Sequence, residues 1–435
     1  TLIELDLSVD HTRATNDTYA TAAEKAIKKV NIYIFGDDST LEQTELNQAY
    51  SDGAKLKFEV ASGNKTIFVT TAGSIVTPAD GISLADFEKL AFSATNSDLN
   101  TSDGFVMTGK STTQFVAKSA TAAEMPASNS FSINLTRAIA KAQVRCNSTA
   151  MTQCLDYGFR GCVPVTFRIC QSNKNMLITH QGTDLVTRYT DADKDGCYDN
   201  YSVYAQDSFI DCLKSGNFKS DGCQYMSENI VANPLSGNTT FISLKLRHSP
   251  QYFYDFTDGA PKKRATTSDA DGPTFYVVGL SDRANGFIDY TVDTANHVII
   301  SFENESDANA YCTALNGGEL SAMTVSETEQ TLSAPRKTRA GASAFEVFKF
   351  ENGAAYYRIN IAHTDASDET QKTYKVVRNN FYKVDIKNIK TLGLPSEEML
   401  RPLNADMKPD TKASAWLETT LNVENWDQTS QDVDL

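Results

Sequence analysis

Asp191-Ala192-Asp193-Lys194-Asp195-Gly196 sets three carboxylates at alternate positions ahead of a glycine. That spacing lets hard oxygen ligands converge on one calcium ion, and Gly196 permits the sharp turn. Cys197 would add its backbone carbonyl, while Asp199 would ligate directly or through water. Ser202 stands at the twelfth position, where such loops carry a closing glutamate, so Asp199 or a distant residue has to compensate. The pattern predicts a structural calcium site of modest affinity, against the alternative of an acidic surface loop. Asp269-Ala270-Asp271-Gly272 is a shorter echo and reads as a turn.

The cysteines form an even set: Cys146, Cys154, Cys162, Cys170, Cys197, Cys212, Cys223 and Cys312. No CxxC pair occurs and the nearest histidine is His180, which argues against zinc. Disulfides in an exported protein are the expectation, each worth ~2–4 kcal/mol, with the pairing left open by the spacing. Reduced, buried thiols are the alternative. No phosphate loop, GxSxG, HExxH or GxGxxG is present. His11, His180, His248, His297 and His363 are scattered, mostly in polar surroundings, and read as surface residues. Acidic pairs abound without any one being singled out, so the chain reads as no enzyme.

A net charge of −15 and a pI near 4.9 argue against nucleic acid or anionic membrane as partner. The 435 residues, 40% hydrophobic, suffice for two or more folded domains. No run of 18 apolar residues occurs and no signal peptide stands at Thr1, so the numbering is expected to start after a removed export segment.

The elements that must carry any function are mostly strands. Ile3, Leu5, Leu7 and Val9 alternate with Glu4, Asp6, Ser8 and Asp10, the period of a half-buried strand. Further strands are predicted at 30–35, 65–70, 105–107, 131–135, 142–144, 165–169, 241–246, 275–278, 298–300, 355–361 and 381–386. A helical patch is predicted over 84–92. Short strands with frequent turns and few helices predict a mainly β protein of two β-sandwich domains, with a boundary near 130–136. Pro395, Pro402 and Pro409 among polar residues predict an extended linker over 392–414. A last alternating segment follows, with Leu417, Thr419, Leu421 and Val423 on one face.

A tethered strand has unpaired backbone groups and an apolar face, and both need a partner. It can fold back on its own domain or add to a neighbouring molecule, as in donor-strand complementation. Removing the first strand would open an apolar groove that the tail face could fill in another copy, generating a head-to-tail filament.

Several stretches resemble the Bacteroidetes fimbrillins, the type V pilus subunits. They are Thr12-Arg13-Ala14, the strand Val30 to Phe35, Met107-Thr108-Gly109-Lys110, and Leu135 to Lys141. The C-terminal run Val377 to Ile386, Leu392-Gly393-Leu394, the Pro-containing spacer and Val423-Glu424-Asn425-Trp426 complete the similarity. The order is that of short-fimbria-type shaft subunits, while the middle, about 150–350, carries few matching motifs. The resemblance implies transthyretin-like Greek-key sandwiches and export of a lipidated precursor to the outer membrane. It also implies cleavage between Arg13 and Ala14 by an arginine-specific protease. Residues 1–13 would then be the strand removed, 14–134 and 135–394 the two domains, and 395–435 linker and donor strand, with Leu417, Thr419, Leu421, Val423 and Trp426 in the donor. Arg336, Lys337 and Arg339 form another candidate cleavage loop, and Asp293-Thr294-Ala295 resembles an O-glycosylation site. The implied partners are further copies of the chain, fimbrial anchor and tip subunits, the protease and an adhesion ligand of unknown kind. Three other readings stay open: a tip or anchor subunit, a monomeric calcium-dependent carbohydrate-binding protein of the cell surface, and a secreted hydrolase, which would need a convergent carboxylate pair in a cleft.

Overall fold

The computed structural model describes residues 1–9, 20–51, 53–71, 76–94, 104–118, 125–147, 157–179, 190–219, 221–265, 272–284, 286–321, 323–324, 344–363, 374–409, with 286–321 continuous, and 417–425. The fold is mainly β. In chain order the first strands are β1 (Leu2–Val9), β2 (Lys29–Phe35), β3 (Leu41–Ala49), β4 (Lys55–Glu59) and β5 (Gly63–Thr71). They are followed by β6 (Ala91–Ser93), β7 (Met107–Lys110), β8 (Gln114–Val116), β9 (Ser130–Arg137) and β10 (Ile139–Cys146). Next come β11 (Phe159–Asn173), β12 (Asn175–Leu177), β13 (Tyr201–Tyr204), β14 (Ile210–Asp211), β15 (Gln224–Ser227) and β16 (Phe241–Pro250). A hairpin of β17 (Tyr252–Thr257) and β18 (Ala260–Ala265) precedes β19 (Phe275–Asp282), β20 (Phe287–Asp293), β21 (Val298–Ile299) and β22 (Ser301–Phe302). The last are β23 (Met323–Thr324), β24 (Phe345–Phe350), β25 (Ala354–Asn360), β26 (Asn380–Ile389) and β27 (Leu417–Asn425). Helices are short: α1 (Ala22–Lys25), α2 (Leu84–Phe87) and α3 (Glu305–Asn316).

The N-terminal sheet runs β3-β2-β5-β7-β9-β1-β4, with β8 paired to β5. The later strands form sheets ordered β15-β10-β26-β27, β13-β11-β16-β25 and β21-β20-β19-β22. Their apolar side chains gather into two main clusters. One draws on residues 3–139 together with Met176 and Ile178, and the other runs from Ala140 to Leu417. Met176 reaches the first cluster because β12 pairs with β6, tying the two halves together.

Three expectations need correction. The helical patch over 84–92 is one turn, Leu84–Phe87, capped by Ser83, after which the chain extends into β6. Phe87 anchors that turn among Tyr33, Phe35 and Phe68, so helical spacing beyond it had no surface to serve. Residues 392–409 are packed rather than extended free of the domain. Leu392, Leu394, Leu400 and Ala405 are buried, and Leu394 shares two backbone hydrogen bonds with Tyr356. His248 is wholly buried on β16, not at the surface, because strand alternation turns it toward Phe159 and Tyr357. No helix among the described residues is long and apolar enough to cross a membrane.

Candidate functional site: the slot that holds the first strand

β1 lies inside its sheet, not at an edge. It pairs antiparallel with β4 from Leu2↔Glu59 to Asp6↔Lys55. On the other side it pairs parallel with β9, from Glu4↔Ser130 to Val9↔Leu135. Ile3, Leu5, Leu7 and Val9 are all buried in the first cluster, as their alternation predicts. Burying four such side chains contributes ~6–12 kcal/mol at ~1.5–3 each.

The two neighbouring strands do not cover β1 from end to end, and side chains complete the ladders. Where β4 stops, the Tyr50 hydroxyl donates to the Leu7 carbonyl at 3.0 Å. Where β9 has not begun, Asn129 Nδ2 donates to the Leu2 carbonyl at 3.1 Å. Asn129 is fully buried and is itself fixed by Ala117, whose N–H donates to Oδ1 and whose carbonyl accepts from Nδ2, both at 2.9 Å. On the outer face Glu4 accepts from Lys55 at 2.6 Å and lies 3.5 Å from Lys57. The Lys55 ammonium holds the Glu4 carboxyl below the usual carboxylate range. Ser8 Oγ donates to Asn134 Oδ1 at 2.7 Å.

The next described residue after Val9 is Ala20; Arg13 and Ala14 lie between, outside the described residues. The chain is gripped again at once. Thr21 caps α1, its side chain accepting from the Glu24 N–H and its own N–H donating to Glu24 Oε2 at 2.6 Å. Glu24, with no exposure, accepts from Lys141 Nζ on β10 at 3.0 and 3.1 Å and from the Tyr225 hydroxyl on β15 at 2.9 Å. Arg137 Nε donates to the Glu24 carbonyl at 3.0 Å, and Lys141 lies 5.0 Å from the Phe381 ring centroid. This buried junction was missed in the sequence, although Thr21-Ala22-Ala23-Glu24 has the spacing of a capping box.

At the other end of the chain β27 folds back as an edge strand on β26, in antiparallel register from Asn380↔Asn425 to Ile389↔Leu417. Leu417 is buried, and Leu421 and Val423 pack against the second cluster. Thr419 shares their face and is half-buried, while Trp426 lies outside the described residues.

Asp191, Asp193 and Asp195 converge, their nearest carboxylate oxygens all within 4.8 Å of one another. Burial, together with the charge of Asp195, pushes the Asp191 carboxyl up, a penalty that a cation would relieve. Gly196 takes φ +81°, and a Cβ there would fall 2.1 Å from the Pro402 carbonyl oxygen, so only glycine closes this turn. Arg401 Nε donates to the Asp195 carbonyl at 3.2 Å. Asp199 does not join the cluster: its carboxylate accepts from Thr190 Oγ at 2.7 Å and from the Ala192 N–H at 3.3 Å. Those bonds hold it below the usual carboxylate range. Cys197 donates its N–H to Asp195 Oδ1 at 2.8 Å, and its thiol is buried. Three carboxylates thus fit a hard cation, with Asp199 outside the set.

The disulfide expectation is corrected for six of the eight cysteines. Cys146, Cys170, Cys197, Cys212, Cys223 and Cys312 are free thiols. Most of them are buried, and burial pushes the Cys146, Cys197 and Cys223 thiols up to about 12. Cys154 and the Cys162 side chain lie outside what the structure describes. Arg336, Lys337 and Arg339 do as well.

Residues 3–147 match the family described as major fimbrial subunit protein (FimA), and residues 348–432 match major fimbrial subunit protein type IV, fimbrillin, C-terminal. The two matches take in most of β1, all of β2 to β10, the end of β24 and all of β25 to β27, together more than half of the chain. The chain belongs to the Bacteroidetes fimbrillin family. It is a structural subunit of a cell-surface fimbria, not an enzyme, and assembles with other fimbrial subunits. Among solved structures, a fimbrillin (FimA) of Porphyromonas gingivalis W83 is 15% identical over 97% of this chain and 96% of its own, with a TM-score of 0.45. A putative cell adhesion protein of Parabacteroides distasonis is 11% identical over 99% and 98%, with a TM-score of 0.46. The tip fimbrial protein Mfa3 of P. gingivalis, C-terminally truncated, is 10% identical over 98% and 100%, with a TM-score of 0.39. No curated protein matches by sequence.

Proposed function

We propose that this subunit builds the fimbrial shaft by donor-strand exchange, supporting adhesion from the outer membrane of the bacterium. An arginine-specific protease cuts after Arg13, β1 leaves its slot, and the C-terminal strand of another copy, carrying Leu417, Thr419, Leu421 and Val423, enters. The observation that carries this reading is the position of β1: internal to the sheet, held by main-chain ladders on both sides, and joined to the rest of the fold through one short stretch containing Arg13. A cut there parts β1 from the chain that follows it, and its loss exposes two strand edges and four apolar pockets. A chain that gives its own strand to the next copy suits a shaft, with anchor and tip subunits at the ends. Limited trypsin digestion with N-terminal sequencing and electron microscopy tests this. Cleavage at Arg13 is expected to give heat-resistant ladders and filaments, absent in Arg13→Ala and in a chain ending at Pro409. Clean cleavage leaving only monomers would sink the shaft reading.

The proposal includes a structural calcium ion on Asp191, Asp193 and Asp195. The supporting observation is their convergence beside Arg401 and Pro402, in the segment that leads toward β27. Chelation is expected to lower Tm by a few degrees in the parent and not in Asp193→Asn. An unchanged parent Tm would leave these residues as an acidic loop.

A further inference from the structure

The contacts that hold β1 fall into two kinds. Those of Tyr50 and Asn129 reach main-chain carbonyls, five residues apart, on opposite edges of the strand. They ask nothing of the occupant's side chains and everything of its register. Those of Lys55 and Lys57 reach one side chain, Glu4, on the outer face.

β27 matches both kinds when laid on β1 in the same direction. Ile3-Glu4-Leu5-Asp6-Leu7-Ser8-Val9 stands against Leu417-Glu418-Thr419-Thr420-Leu421-Asn422-Val423. Three of the four inward positions keep an aliphatic side chain, and Leu5 is answered by the β-branched Thr419. The glutamate recurs at the same place, and Ser8 is answered by another short polar residue. Running the tail the other way keeps the inward pattern but puts Asn422 opposite the two lysines. A shift of one residue turns the apolar face to solvent.

We infer that Leu417–Val423 of one copy takes the place of Ile3–Val9 in the next, in the same direction, with Tyr50 and Asn129 as the positioning residues that fix its register. This rests on the strand-exchange reading above and adds the geometry. Glu418 pairs with Lys55 and Lys57, and the Leu421 carbonyl accepts from the Tyr50 hydroxyl. Asn129 takes the carbonyl of the residue before Leu417. The strand runs parallel to β9 and antiparallel to β4. In its resting place beside β26 the same segment lies antiparallel to its neighbour on one side only, so entry into the slot gives it a second ladder.

The test uses the full chain cleaved at Arg13, with either another copy or a synthetic peptide of residues 415–425 as occupant. Zero-length carbodiimide coupling followed by mass spectrometry is expected to join Lys55 or Lys57 to Glu418. Release of the peptide is expected to quicken about three- to tenfold in Tyr50→Phe, the range for one buried hydrogen bond, and by at least as much in Asn129→Ala, which also strands the Ala117 N–H and carbonyl. An ester in place of the amide after Leu421 weakens that carbonyl as acceptor. It also removes the Asn422 N–H, so release should quicken from both proteins but clearly less from Tyr50→Phe, a coupling that a merely structural tyrosine would not give. Exchange in which the lysines couple to Glu424 or to no tail carboxylate, or in which ester and Tyr50→Phe effects simply add, overturns the register and leaves strand exchange standing. Cleaved protein that takes up neither occupant overturns both.

Discussion

Replacing Lys141 with methionine is expected to cost about 3–5 kcal/mol of stability, the toll of leaving a carboxylate buried without its cation. Lys141 and Glu24 have no exposed side-chain surface, and their atoms meet at 3.0 Å. Burial pushes the Lys141 ammonium below its ordinary value against the pull of the Glu24 carboxylate, so the charged form is held there by its partner. Glu24→Gln should cost less than Lys141→Met, since an amide still accepts from the lysine, and the double variant should cost less than the sum of the two. Urea unfolding of the four proteins measures this; full additivity would show that the pair is not coupled. The consequence reaches assembly. α1 is the first described segment after the stretch bearing Arg13, and Glu24 ties it to β10, β15 and the end of β9. In the strand-exchange reading, this junction would keep the new chain end fastened to β9, β10 and β15 after β1 leaves.

How much of this was legible depends on whether local pattern or distant packing decided each element. β1 and β27 were legible because each has one buried face, and strand alternation writes that face into every second residue. Their pairing was not: nothing in Ile3 to Val9 says that β9, over a hundred residues later, lies parallel beside it. α3 was overlooked although Ala308, Tyr311, Cys312 and Leu315 have helical spacing and are all buried. Its mean polarity hid a narrow apolar stripe. The segment 392–409 looked like a linker because its prolines and charges say nothing of Arg168, which pairs with Glu397 from 229 residues earlier in the chain. The acidic loop was readable from spacing alone, yet Asp199 fell out of it because Thr190, one residue before the run, captured its carboxylate. Tyr50 and Asn129 carried no signal, since their role exists only where two strands end.

The second large effect concerns acid. His248 is held neutral: burial pushes its imidazole down to about 3. Nε2 lies 2.6 Å from the Tyr357 hydroxyl, which donates to the Thr391 carbonyl at 2.8 Å, so Nε2 is the protonated nitrogen. Nδ1 has no hydrogen-bond partner among the described residues, and a proton added there would be a buried, unanswered donor. The unfolded chain takes up that proton near pH 6.5 and the folded chain does not. Stability from this group is therefore complete above about pH 6.5 and falls as pH drops from there toward 3. At pH 4.5 the loss is roughly 2–3 kcal/mol relative to pH 7.5. Urea unfolding at the two pH values should show this excess in the parent and not in His248→Gln; equal pH dependence in both proteins would refute the assignment. The place of the loss matters for function. Thr391 follows β26, and the chain beyond it is held by the Tyr290 hydroxyl on the Gly393 carbonyl and by Leu394 on Tyr356. In the strand-exchange reading, acid would therefore loosen the root of the segment that carries β27.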